Sequence, residues 1–213
     1  MFKFLFPKAK NKNNLEFHLS TVNKSKLQDI TNRFSDFDPH PGASKYLDIA
    51  AWIPKFINHA QHLGLESKKS FNILDIGTGP GLFPLVCKNL GHQVRAIDLP
   101  DNPLYNEMIS LFNIQRRSSA VRPFLNIPAF DTKFDLITGF AICFNGHATD
   151  TLWRKEEWGY FINDLKNNHL KKNGKIFLEL NQEPNGLYYS QELLTFFKET
   201  GATFINNHVT YQF

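Results

Sequence analysis

Residues 73 to 81 read Ile-Leu-Asp-Ile-Gly-Thr-Gly-Pro-Gly: an apolar run that contains an acid, Asp75, and then breaks on three alternate glycines. A second apolar run, Val94-Arg95-Ala96-Ile97-Asp98, ends in another acid 21 residues beyond the first glycine. This order constrains the chain to strand, tight turn, helix and strand, because bare glycine turns the chain sharply without a side chain in the way. The second carboxylate then stands at a strand end, where it can accept hydrogen bonds from two ribose hydroxyls. The block reads as a pocket for a cofactor that carries a nucleoside.

Glycine spacing narrows the cofactor. A dinucleotide turn has the form G-x-G-x-x-G, with a pyrophosphate over the helix N-terminus. Here the third glycine, Gly81, comes one residue early, and Leu82 stands where that pattern places its last glycine. With Asp75 ahead of Gly77, Gly79 and Gly81, and Asp98 at the next strand end, the chain resembles the class I S-adenosylmethionine-dependent methyltransferases, whose first motif is acid-x-G-x-G-x-G. The resemblance implies S-adenosylmethionine (SAM) as cofactor, with its amino-acid end on the loop Asp75, Gly77, Thr78, Gly79, Gly81. It also implies Asp98 on the ribose and Leu99 on the adenine face.

The remaining elements follow from periodicity and turn chemistry. Helices are expected at 24–36 and 44–63, the latter from Tyr46, Ile49, Ala50, Ile53, Phe56 and Ile57 at three- and four-residue intervals. The sheet is expected to begin at 71–75, with a helix at 82–90 that Gly91 ends and a Pro-started helix at 103–112. Further strands are expected at 119–124, 134–140 and 174–180, and helices at 151–170 and 190–200. Two closing strands, 203–206 and 208–213, have too short a link for a helix and must pair antiparallel. Strands separated by helices of ten or more residues predict a doubly wound, mostly parallel seven-stranded α/β sheet with an antiparallel C-terminal strand and an N-terminal helical cap. The expected organisation is a single domain, 1–213, with a basic and aromatic tail at 1–20, the cap at 24–63 and a SAM-binding core at 70–213. The methyltransferase resemblance covers that core.

Composition limits the partners. The net charge is +4, but residues 1–26 carry six lysines against Glu16, a balance of +5, which leaves −1 on the other 187 residues. A core without a basic footprint argues against a nucleic-acid substrate. Phe2, Phe4, Leu5 and Phe6 among lysines suit weak peripheral contact with an anionic membrane, or docking on the domain or a partner subunit. No apolar run is long enough to span a bilayer. Two cysteines, Cys87 and Cys143, make no disulfide framework, and no Cys/His pairs stand at zinc-ligand spacing, so a cytoplasmic protein with no metal is expected.

Ligands of such sheets bind beyond the carboxyl ends of the strands. After the third strand, Asn126-Ile127-Pro128-Ala129-Phe130 resembles the family's Leu-Pro-Phe-like segment. The acid usual there is replaced by Arg122 or Pro123, which leaves a backbone carbonyl or Asn126 to read the adenine amino group. After the fourth strand the resemblance places the methyl group. No Asn/Asp-Pro-Pro-aromatic motif is present there, which lowers base and amide nitrogens as targets. Phe140 and Phe144 suit a wall beside the sulfonium, and equally suit an ordinary core. His147 has the pKa range to take a proton from a hydroxyl acceptor and is the candidate catalytic residue. His40, Tyr46, Phe144, Asn145, Trp153 and Asn181 are candidates for the substrate side, with Trp153 expected at the cleft mouth. Together these features predict methyl transfer from SAM to a small-molecule or glycan-type acceptor. The alternatives are a non-catalytic SAM-binding partner subunit, an RNA methyltransferase or an NAD-dependent oxidoreductase. The residues do not indicate an oligomeric state.

Overall fold

The computed structural model describes residues 14–35, 42–142, 152–182 and 186–213. In chain order they form α1 (Leu15–Ser20), α2 (Lys24–Phe34), a turn of 3₁₀ helix (Ser44–Leu47), α3 (Ile49–His62), β1 (Asn72–Ile76), α4 (Leu82–Leu90), β2 (Gln93–Asp98), α5 (Pro103–Leu111) and β3 (Gln115–Ser118). There follow β4 (Phe134–Ile142), α6 (Lys155–Asp164), a π-helical turn (Leu165–His169), β5 (Leu170–Leu180), α7 (Gln191–Glu199), β6 (Thr203–Ile205) and β7 (His208–Gln212).

The strands make one seven-stranded sheet in the order β3-β2-β1-β4-β5-β7-β6. Neighbours from β3 to β5 run parallel, and β7 runs antiparallel to both β5 and β6. This is the doubly wound architecture expected from the sequence. Side chains alternate between two buried layers. One joins Ile73, Val94, Ala96, Leu136 and Phe177 of the sheet to α2, α3, α4 and α5. The other joins Leu74, Ile76, Ile97, Ile137 and Leu178 to α6 and α7. The strand order reverses between β1 and β4, so the carboxyl ends of β1, β2, β4 and β5 frame the crevice where such sheets bind ligands.

Several elements depart from the sequence reading. The third strand is 115–118, not 119–124. It is an edge strand of polar residues, Gln-Arg-Arg-Ser, and so has no apolar signature; its place comes from pairing, Asp98 opposite Ser118. The helix expected over 151–170 covers only Lys155–Asp164 and widens into the π turn. The fifth strand starts at Leu170 instead of Gly174, because the Lys-Lys-Asn-Gly stretch is absorbed as a bulge, with Asn173 at φ 63° and a register shift against β4. The helix expected from residue 44 starts at Ile49, capped by the Asp48 side chain on the Ala51 N–H. Leu15–Ser20, assigned by sequence to the tail, form a short helix whose His18 is buried and is bonded by the Asn89 amide of α4.

Trp158 of α6 anchors the second layer, 1% exposed and packed edge-on against Trp153, Phe161 and Phe197. Trp158→Ala is expected to cost about 3–5 kcal/mol through the cavity left behind. A lower urea midpoint with an unchanged slope checks it.

Candidate functional site

The glycine loop leaves β1 with Gly77, Gly79 and Gly81 at φ 69°, 55° and 81°, the left-handed region that L side chains avoid. Its amides are spent inside the protein. Gly77 and Thr78 donate to the Ile97 carbonyl (2.8 and 3.4 Å), and Gly81 donates to that of Thr78 (3.1 Å). Gly79 donates to Asp98 Oδ2 at 2.5 Å. Pro80 has no N–H, and Pro84 removes another from the first turn of α4. A loop that cradles a phosphate needs those donors pointing outward. This one turns them inward.

Asp75 and Thr78 are placed differently from the sequence reading, which has both on the cofactor. Asp75 is buried, and its two carboxyl oxygens accept from the Thr78 and Thr138 hydroxyls, each at 2.7 Å. Thr78 is buried as well, its hydroxyl committed to Asp75. The pair therefore fastens the loop to β4 from beneath. Burial pushes the Asp75 carboxyl up to about 7, against the two hydroxyl hydrogen bonds and with a smaller upward push from Asp98.

Asp98 stands at the end of β2. Its Oδ1 accepts from the Leu99 N–H (2.8 Å) while Oδ2 holds Gly79, so each oxygen retains a lone pair for a further donor. Burial raises its pKa, partly offset by these two N–H bonds and by Arg116. Leu99 beside it is 44% exposed, an apolar face at the strand end. Asn126 lies in the loop before β4, and its carbonyl oxygen already accepts from the Tyr160 hydroxyl at 2.6 Å. The next residue, Ile127, is buried with its N–H on Asp164 Oδ2 (2.9 Å), which pins that loop to α6.

On the β4 side, Phe140 does not form a free wall. Its ring is clasped by His59 (centroids 4.5 Å apart), Phe83 (4.6 Å) and Phe177 (5.8 Å). Tyr46 meets Trp52 and Tyr105, and a Cβ placed on Gly79 would lie 3.8 Å from Tyr105, so Tyr46 borders the loop through one ring. The Asn181 amide holds the Ala141 carbonyl at 2.8 Å, which braces the irregular end of β4. Trp153 corrects an expectation: it is 6% exposed and packs on Trp158 and Phe161 in the core instead of facing the cleft mouth. His40, Phe144, Asn145 and His147 lie outside the described residues.

Sequence reasoning missed a polar cluster at this edge. Glu179, buried near the end of β5, faces Lys55 Nζ (3.1 Å), His59 Nε2 (3.4 Å) and His208 Nε2 (3.5 Å). Two signals were available: Lys55, His59 and His62 recur on one face of α3, and an acid interrupts the apolar run Ile-Phe-Leu-Glu-Leu.

Strand order β3-β2-β1-β4-β5-β7-β6, a reversed β7, and a glycine loop ahead of an acid at the β2 end occur here together. This is the mostly parallel seven-stranded topology that the class I methyltransferase resemblance implies. The sequence matches no family model. Several solved structures similar to it are described as methyltransferases. Streptomyces venezuelae DesVI is 15% identical, with 63% of this chain and 52% of that one covered at a TM-score of 0.47. A SAM-dependent methyltransferase from Aquifex aeolicus is 16% identical, with 93% and 98% covered at 0.47. The glycopeptide N-methyltransferase MtfA in complex with SAM is 12% identical, with 76% and 65% covered at 0.45. The chain spans about half the length of DesVI.

The raised Asp75 pKa has a consequence for stability. A carboxyl that titrates near 7 when folded and near 3.8 when unfolded holds its proton longer in the native state. Its contribution is complete below the unfolded value and is lost as pH rises through about 7. Urea titrations at about pH 5 and about pH 8 are expected to show lower stability at the higher pH, and Asp75→Asn is expected to remove most of that slope.

Proposed function

We propose that the protein is a SAM-dependent methyltransferase acting on a small-molecule or glycan-type acceptor. The observation that carries this reading is the inward-turned glycine loop. With its N–H groups bonded internally and Pro80 contributing none, the loop offers carbonyl oxygens to a ligand. Carbonyls suit the ammonium of a methionine end and repel a pyrophosphate, which counts against a nicotinamide dinucleotide. Asp98 has lone pairs for the ribose hydroxyls, and Leu99 has an exposed apolar face for the adenine. Gly77 to Gly81, Asp98 and Leu99 are thus the residues that would hold the cofactor.

When bound, SAM supplies a methyl carbon already activated by a positive sulfur. The chain's own contribution is alignment and exclusion of water. Asp75, Thr78 and Thr138 hold the loop still, Asp98 ties the loop to β2, and Phe140 packs on Phe83 of the helix behind the loop. The small-molecule acceptor is supported by the balance of −1 over residues 27–213, which lacks the positive field a nucleic acid requires.

Calorimetry with SAM, S-adenosylhomocysteine and NAD tests the reading. Binding of the first two and not of NAD is expected, and binding of NAD alone would refute it. Asp98→Ala is expected to weaken both adenosyl ligands at least about tenfold, the loss of one or two hydrogen bonds to a charged acceptor.

A further inference from the structure

The cluster on Glu179 lies on the α3 face of the sheet, at the level of Phe140. From there one ring, Phe140, separates His59 from Phe83, the second residue of the helix that follows the glycine loop. We propose that this cluster is the acceptor subsite, with His59 the base that takes the proton from a hydroxyl acceptor and Glu179 the residue that positions it. The proposal rests on the SAM reading and deepens it: it places the base on α3 and makes the acceptor a hydroxyl compound.

The geometry fixes the roles of the ring nitrogens. His59 Nε2 is buried and faces Glu179 Oε2 at 3.4 Å, longer than a formed hydrogen bond but close enough to select the tautomer. A carboxylate at that position favours the proton on Nε2 and leaves the lone pair on Nδ1, the arrangement by which an acid orients a histidine base. Among the described residues, no hydrogen bond engages Nδ1. Phe140 lies tilted against the imidazole (36° between planes) and limits its rotation.

The groups that face His59 are Lys55 and His62 from its own helix, Glu179 from β5 and His208 from β7. Burial lowers the His59 pKa to about 4, against the pull of Glu179 and with the help of Lys55, His208 and His62. His59 is therefore neutral at ordinary pH, with its lone pair ready. A weak base is sufficient for this chemistry. An alcohol oxygen that has gained a methyl group is a strong acid, so proton loss is downhill even to an imidazole of low pKa. As the O–C bond forms, the C–S bond to the methyl carbon would break with its electron pair going to sulfur; the O–H bond breaks with its pair staying on oxygen, which neutralises the charge created there. The proton passes to Nδ1, the imidazolium is stabilised by Glu179, and solvent takes the proton beside the part-exposed His208 (27%) and Lys55 (42%).

The cluster also clamps α3 to the sheet, so a change in stability alone does not distinguish the two roles. Protein labelled with ¹⁵N-histidine does, with His59→Gln to assign the signals. In free protein His59 is expected as the Nε2–H tautomer. Its signals are expected to differ between the S-adenosylhomocysteine and SAM complexes, because only SAM places a positive methyl sulfonium in front of the base. Glu179→Gln is expected to mix the tautomers, with circular dichroism checking its fold; should it fail to fold, the wild-type spectra decide. An Nδ1–H tautomer, or identical His59 signals in the two complexes, overturns the proposal. Calorimetry on the same samples separates that result from failure of the SAM reading, which shows as no binding of either ligand.

Discussion

A buried carboxyl group organises the upper edge of this protein. Asp75 lies beneath the glycine loop with one oxygen on a loop threonine and the other on a threonine of β4. Burying a carboxyl is costly unless it is hydrogen-bonded, and here burial also pushes its proton affinity upward. That cost ties the end of β1 and the loop that follows it to β4, 63 residues further along the chain. Asp98 completes the frame from the other side by gripping the Gly79 amide. Without these two acids the three left-handed glycines would have many conformations open to them, and the crevice would lose its floor.

The two halves of the site are built by different means. The proposed cofactor side consists of one continuous stretch, residues 75 to 99, shaped mainly by backbone geometry. The proposed acceptor side draws on α3, β4, β5 and β7, which come together only once the sheet has formed. Its central acid, Glu179, faces Lys55 and His59 of α3 and His208 of β7. Phe140 joins the halves, packed between Phe83 behind the loop and His59 on the cap helix.

This division explains which features were legible in advance. The glycine loop, Asp98 and the alternation of strands and helices rest on local chemistry, so they stand where the sequence places them. β3 was misplaced because an edge strand of Gln, Arg, Arg and Ser carries no apolar periodicity, and only its pairing with β2 defines it. The Asn-Gly at 173–174 has the chemistry of a turn, yet β4 continues alongside and makes it a bulge. Trp153 reads as a cleft-mouth aromatic from sequence, and only its packing on Trp158 and Phe161 shows it to be core. His59 and Glu179 are 120 residues apart, and neither has a motif around it.

The sequence by itself determined the class of fold and the shape of the cofactor loop, because glycine spacing, strand length and the acid at a strand end act over a few residues. The tertiary structure decided which side of the loop its amides face, that the Asp75 carboxyl is buried as a brace between the loop and β4, and that a histidine of the cap helix meets a carboxylate of β5. Those outcomes depend on burial and on long-range packing, and neither acts until the chain has closed on itself.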